Sequence, residues 1–224
     1  DALTEAAAGV RPPGTLKKPE SIAAWWENEA PGAAQEVWRK QSLDGGTSGE
    51  IVSIACTDGE GREWAHCRAV GESEAALLVA FIEQVESWTC DDAAKVSGCA
   101  SAWPLDDHRL IAHNASFDLG FLWRRMAINA VRIPKWLPSP SARAPRDFGC
   151  TMVGWSGFGK FISLDALCRA LGVTSPKEAG GMDGSRVFDA WLAGEHEAIA
   201  RYNLNDARAV SDVWHRLAAV GVGV

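Results

Sequence analysis

HNASFDLGFL (113–122) is the stretch on which the fold turns. The run before it, RLIAH (109–113), is short and apolar and reads as a buried strand. Ser116 to Ile128 then has helical periodicity, which places Phe117, Phe121 and Leu122 on an inner side. A strand that ends on a polar stop and passes straight into a helix is a building block of an α/β sheet, whose ligand crevice opens at the carboxyl ends of its strands. Asp118 falls in the first turn of that helix and is expected to face the crevice. The plain alternative is a capped helix, with Asn114 as the cap and Asp118 favoured by the helix dipole.

The elements on either side suit the same class. IVSIAC (51–56) reads as a buried strand, TDGEG (57–61) as a hairpin turn and REWAHCRAV (62–70) as the alternating partner strand. Leu77, Leu78, Phe81 and Val85 predict an amphipathic helix over 73–88, followed by a loop or small insertion at 89–107. Beyond the Pro-broken stretch 131–145, a strand is expected at 147–153. A helix is expected at 163–173, ended by Gly172, then a loop at 177–185 and helices at 185–192 and 195–219. Near the start, 6–18 reads as an irregular arm, 19–41 as two short helices and 42–49 as a loop. Strand–strand–helix–strand–helix order predicts an α/β domain with a mixed sheet.

Composition bounds the function. The chain has 224 residues, with 22 Lys and Arg against 29 Asp and Glu, a formal net charge of −7. It is 47% apolar and 23% charged, which is globular composition rather than that of a disordered chain. The acidic balance excludes a protein that coats nucleic acid by bulk charge, though not an enzyme whose carboxylates hold metal. No run approaches the roughly 18 apolar residues of a membrane span, and no secretory signal precedes the first residue, so a cytoplasmic protein is expected. The chain opens at Asp1 without a Met, so residues upstream are expected to be missing from it. The six cysteines, Cys56, Cys67, Cys90, Cys99, Cys150 and Cys168, lack CxxC spacing and read mostly as buried thiols in a reducing compartment; Cys90 and Cys99 could pair or bind metal across a loop.

The second chemical signal is RYNLNDARAV (201–210), in the last long helix. Tyr202 and Asp206 are four apart and project from one face. A phenol one turn before a carboxylate can orient water at a metal which that carboxylate holds; the plain alternative is a packed Tyr beside a solvated Asp.

Together these stretches resemble the DnaQ-like 3′–5′ exonucleases of the ribonuclease H fold, the DEDD group. Asn114, Phe117, Asp118, Phe121 and Leu122 match the NxxFDxxFL form of the group's second motif, and Tyr202 and Asp206 match the Tyr-x-x-x-Asp form of its third. The position where the His variant would need its histidine is Arg201, so the resemblance is to the Tyr subgroup. SLDALCRALGV (163–173) looks like the stretch that precedes the third motif in stand-alone bacterial and phage members. GVRPPGTLKKPESIAAWW (9–26) and GEIVSIAC (49–56) are similar to phage-type members. The resemblance spans nearly the whole chain.

It implies a ribonuclease H-like domain with a mixed central sheet flanked by helices, one exonuclease domain over 1–224 with a helical insertion at about 6–50. It also implies a phosphodiesterase in which four carboxylates hold two Mg²⁺ or Mn²⁺ ions about 4 Å apart. Asp118 and Asp206 would be metal ligands, and Tyr202 would orient the nucleophilic water. Asn114, Phe117 and Phe121 would contact substrate; apart from the resemblance, Lys160 reads as a contact to a nucleic-acid phosphate or as a residue with no role. The expected partner is a single-stranded DNA 3′ end, with RNA open, in a bacterial or phage-infected cell; oligomeric state is open.

The first motif, Asp-x-Glu on the first strand, departs from the pattern. DALTEAA (1–7) offers two registers: Asp1 as the Asp with Leu3 in place of the Glu, or Glu5 as the Glu with Leu3 in place of the Asp. Asp1 and Glu5 cannot both serve from a straight strand, because four residues span about 13 Å. Either the motif is cut or altered at its start, or this is an impaired member that binds nucleic acid without turnover.

Three further features compete for a role. Asp58-Gly59-Glu60 has Asp-x-Glu spacing but sits in the hairpin turn, where Asp-Gly simply makes good turns. In GWSGFGKF (154–161), Gly154, Gly159 and Lys160 fit a phosphate loop, GxxxxGK, so a nucleotidase is a remote alternative; Phe161 stands where Ser or Thr would hold Mg²⁺. Lys17, Lys18, Trp25, Trp26 and Lys40 could grip a single strand, although the Trp pair more readily reads as packing. Among the histidines, His113 is the one expected near the site; His66, His108, His196 and His215 read as surface or structural.

Overall fold

The computed structural model describes residues 8–41, 44–97, 109–180, 182 and 184–222. The chain divides into two compact units, Asp1–Glu50 and Ile51–Val224.

The first unit is a helical pair. Helix α1 (Pro19–Asn28) starts on a proline at its first turn, where the missing N–H costs nothing, and α2 (Ala30–Gln41) follows after Glu29. Trp25, Val10, Ala30 and Ala34 form its small core, with Leu16, Ala33 and Val37 against them. Trp25 is therefore a packing residue of this unit, while Trp26 remains 44% exposed at its edge. Beyond α2, Asp44 turns its carboxylate back onto the backbone N–H groups of Gly46, Thr47 and Ser48.

The second unit is mixed α/β. Strands β1 (Ser53–Thr57) and β2 (Glu63–Cys67) pair antiparallel from Ser53 opposite Cys67 to Thr57 opposite Glu63. The turn between them is built by Asp58, whose carboxylate takes the N–H groups of Glu60 and Arg62 at 2.9 Å and also pairs with the Arg62 guanidinium. Asp58-Gly59-Glu60 thus has a local structural role, and Gly59 supplies the positive φ of 78°. Helix α3 (Glu74–Ser97) runs further than its apolar pattern predicts, continuing into the stretch expected to be loop from 89. Strand β3 (Ile111–Ala112) leads into α4 (Ala115–Ile128), and β4 (Gly149–Cys150) pairs parallel with β3.

Helix α5 (Thr151–Ser156) begins where β4 ends, so most of the strand expected at 147–153 is short strand followed by helix. The β-branched and apolar run there is buried by a helix instead, an ambiguity that periodicity cannot resolve over so few residues. Helix α6 (Leu164–Leu171) has both signals the sequence carries. The Ser163 hydroxyl accepts from the Ala166 N–H at 3.2 Å, and Gly172 closes the helix at φ 66°. Next come α7 (Pro176–Gly180), inside the expected 177–185 loop, a 3₁₀ turn at Gly184–Arg186, α8 (Val187–Leu192) and α9 (His196–Ala218).

A continuous central sheet of the ribonuclease H kind is not present among the described residues: β1–β2 and β3–β4 are two separate two-stranded sheets. The second is short for a local reason. His113 and Asn114 turn the chain after Ala112, and Cys150 passes directly into α5. What relates the two sheets is α9, which packs on β1, β2 and β3. Gly149 permits this approach, since a Cβ there would lie 2.6 Å from Trp214 of α9 and 2.9 Å from Ile111. Asn203 donates to the Ser53 hydroxyl at 3.2 Å, and Arg208 pairs with Glu63 at 2.5 Å, fixing α9 along the hairpin.

The main core gathers Ile54, Leu77, Leu78, Phe81, Ala115, Met126, Phe148 and Cys150. A second cluster joins Leu167 and Cys168 of α6 to Ala209, Val213 and Leu217 of α9. At the edge of the first core lies a buried ion pair. Glu74 and Arg125, each 6% exposed, meet at 2.6 Å, and Glu74 also accepts from the Ile51 N–H and the Asn129 amide at 2.7 Å. Cys56, Cys67, Cys150 and Cys168 are free thiols, and burial pushes Cys56 up to about 12 and Cys67 and Cys168 up to about 11. The proposed Cys90–Cys99 pairing falls outside the described residues. Among the described residues no helix is long and apolar enough to cross a membrane.

Candidate functional site

Two helices bring the site together. Helix α4 starts directly after β3, which puts Asp118 in its first turn; α9 carries Tyr202 and Asp206 one turn apart. The Tyr202 hydroxyl donates to the Asp206 carboxylate. Asp206 in turn lies close enough to Asp118 for its charge to be felt there.

The electrostatics of this pair are unusual for the molecule. Burial pushes Asp118 up to about 6, its own backbone N–H opposes the rise, and the Asp206 charge adds to it. Asp206 also rises to about 6, again through burial, with the Tyr202 hydrogen bond working against it. Asp118 nonetheless has an open solvent-facing surface. It sits in a recess, crowded by protein on most sides and wet on one. Neither carboxylate is paired with an Arg or Lys among the described residues. Two like charges held together in a crowded recess, without a protein cation, form an electrostatic demand for a positive ligand.

The donor chemistry fits a hard divalent cation, since both groups are carboxylates and Mg²⁺ and Mn²⁺ favour oxygen. The described residues contribute two such ligands, and no group of three or more His, Cys, Asp or Glu able to hold a metal occurs among them. Asp1 and Glu5, the candidates for the remaining positions, lie outside the described residues.

The residues around Asp118 differ from expectation in detail. Asn114 occupies the cap position of α4 but makes no side-chain cap hydrogen bond, so the plain capping role is not what its amide performs. Phe117 is 37% exposed rather than turned inward. The buried face of α4 is set by Ala115, Leu119 and Met126, and Phe117 lies some 200° around the helix from Ala115. Phe121, half-buried, stays within 5.7 Å of the Phe117 ring.

His113 has a larger part than its position suggests. Its Nε2 meets the Ile162 carbonyl at 2.8 Å, and its Nδ1 meets the Thr151 hydroxyl at 2.9 Å. A carbonyl only accepts, so Nε2 carries the proton and Nδ1 accepts from Thr151. Burial lowers the pKa of His113, in keeping with a neutral ring, while the Ile162 bond works the other way. The histidine ties the end of β3 to the start of α5 and to the lead-in of α6. Gly184 is a second residue without a sequence signal: a Cβ there would come within 3.8 Å of the Tyr202 hydroxyl.

Lys160 is exposed and lies between α5 and α6. A phosphate loop needs its Gly-Lys to open a helix directly after a strand. Here helix α5 intervenes after β4, and the next helix starts only at Leu164. Of the proposed single-strand grip, Lys17 and Lys18 are exposed, and nothing is described for the Lys40 side chain. Comparison of the chain with protein-family models, curated proteins and solved structures found no significant match.

Proposed function

We propose that this protein is a metal-dependent 3′–5′ exonuclease that releases nucleoside monophosphates from single-stranded DNA ends, on a ribonuclease H-like domain, in the cytoplasm. The observation that carries this reading is the convergence of Asp118 and Asp206, from helices far apart in sequence, into one unneutralised pair with Tyr202 hydrogen-bonded to Asp206. Asp118 and Asp206 would hold Mg²⁺ or Mn²⁺, which supplies an activated water and stabilises charge on the phosphoryl oxygens. Tyr202 fixes the rotamer of Asp206 and presents a phenol oxygen to the recess. Phe117, exposed beside Asp118, offers a ring face on which a terminal base can stack. Asn114, with no capping bond, has an amide available to the sugar or phosphate. Once cations offset the carboxylates, the recess attracts phosphate despite the chain's net charge.

Digestion of a 3′-labelled oligonucleotide tests the reading. Mononucleotide release should require Mg²⁺ or Mn²⁺ and vanish in Asp118→Ala and Asp206→Ala. Leu3, which displaces a ligand in either register of the first motif, favours a second reading: a module of the same fold that binds ends without turnover. Binding without release of mononucleotide, even with Mn²⁺, would select it. A ribo-oligonucleotide run in parallel separates RNA from DNA as substrate.

A further inference from the structure

The end of α5 and the segment between α5 and α6 carry the most exposed aromatic surface described. Phe161 is 77% exposed, Phe158 69% and Trp155 47%, all within seven positions that also include the exposed Lys160. Gly157 and Gly159, at φ 80° and 74°, turn the chain on either side of Phe158. Exposing that much ring surface on one short stretch, a helix end and the loop after it, is costly in water and marks a contact surface.

The loop is anchored at the site. Its far end is held by the His113 bond to the Ile162 carbonyl, two residues beyond Lys160 and at the end of the strand that delivers Asp118. Ser163 then caps α6, which packs on α9, the helix that carries Asp206. The loop's near flank is basic. Phe158 lines a pocket of about 170 Å³ together with Ala144 and Pro145. Around that segment Arg109, Arg143 and Arg146 are exposed; among the described residues Arg146 pairs with Asp147, while Arg109 and Arg143 donate to backbone carbonyls and keep further N–H groups toward solvent.

We propose that the 155–161 loop is a stacking grip for single-stranded nucleic acid: Trp155, Phe158 and Phe161 take unpaired bases, and Lys160 with the flanking arginines takes the phosphates. Aromatic faces interleaved with cations suit a flexible polyanion whose bases are free to stack. A duplex hides those faces. The grip deepens the exonuclease reading and rests on it only for which end of the strand enters the recess.

The test is the affinity of a fluorescent twelve-residue oligothymidylate, measured by anisotropy in EDTA on the full chain, with turnover of the same oligonucleotide in Mn²⁺ measured separately. Phe158→Ala/Phe161→Ala should weaken binding by at least about tenfold per ring. Phe158→Tyr/Phe161→Trp should hold it within about twofold. Lys160→Ala should reduce the slope of log affinity against log salt by about 0.7. A blunt duplex should bind at least about tenfold less well than the single strand. Equal affinity of the alanine variant and the native chain, or no oligonucleotide binding by the native chain, overturns the grip, the latter leaving a protein partner for the aromatic surface. Ring-dependent binding without turnover keeps the grip and removes the exonuclease; turnover with ring-independent affinity does the reverse.

Discussion

Two pairs of charged side chains in the second unit make opposite use of burial. Glu74 and Arg125 are almost wholly enclosed, and every oxygen of Glu74 is answered, by the guanidinium, the Ile51 N–H and the Asn129 amide. Burial raises the Glu74 pKa, but these partners outweigh it and leave the carboxyl below its ordinary value. Asp118 and Asp206 are less enclosed, yet both are pushed up to about 6, chiefly by burial; the Asp206 charge adds to the rise at Asp118, and the Tyr202 hydrogen bond only partly offsets the rise at Asp206. One pair is complete within the chain and ties α3 and α4 to the lead-in of β1 at Ile51. The other has no answering cation among the described residues, which makes it the candidate site of the molecule.

The comparison breaks most sharply on activity. Asp206→Ala should lower mononucleotide release by about 10⁴-fold, equivalent to about 5.5 kcal/mol of barrier, with little loss of melting temperature. Glu74→Ala should do the converse. It removes the carboxylate that offsets the buried Arg125 guanidinium, at a cost of about 3–5 kcal/mol, which urea denaturation will read directly. If Asp206→Ala proved the more destabilising of the two, the division between a structural and a functional pair would fail.

Gly149→Ala probes the contact that carries α9 over the sheets. A methyl group there meets the rings of Trp214 and the Ile111 side chain well inside contact distance, and the neighbours must shift. We expect a loss of about 1–3 kcal/mol, visible as a lower denaturation midpoint. Because α9 carries Asp206 and Tyr202, turnover should fall as well, whereas an alanine at exposed Gly14, with nothing within 4 Å, should be silent in both measurements.

These effects also mark what could be read from residues alone. The hairpin at 57–61, the capped helix ended by Gly172, Asp118 in a first turn and the Tyr202–Asp206 spacing depend on local chemistry, and local chemistry is written in order along the chain. The Glu74–Arg125 bond joins residues 51 positions apart, and nothing near either announces the other. The Gly149 contact depends on where Trp214 arrives. TMVGWS (151–156) carries a strand-like composition yet ends as a helix, because tertiary burial decides short apolar runs. Helical periodicity groups Phe117 with Phe121 and Leu122 on an inner side, but the angle of Phe117 on α4 turns it out. Element order supports a mixed sheet, and the resemblance implies a continuous central one, but order does not fix which strands pair.

The smallest effect separates the two pairs by the sign of their pH dependence. Asp118 titrates near 6 in the folded protein and near 3.9 unfolded, so between those values the native state holds more protons. Its contribution is therefore most favourable below pH 4 and is lost as pH rises through 6. Asp118→Asn cannot ionise and escapes that loss. In EDTA it should melt at the same temperature as the native chain at pH 4 and higher at pH 7.5. The open face of Asp118 screens part of the effect, leaving about 1 kcal/mol, or about 3 °C. Coulomb repulsion is mutual, so Asp118→Asn/Asp206→Asn should gain less than the sum of its parts. Glu74 runs the other way. Its stabilisation is present above its unfolded pKa and is lost as acid drives pH down through the depressed folded value. Melting curves of Glu74→Gln and native protein should thus converge on acidification from the stable side, while those of Asp118→Asn and native protein converge from the unstable side. Convergence from the same side for both would mean that Asp118 has a cationic partner, and the case for a metal at the recess would go with it.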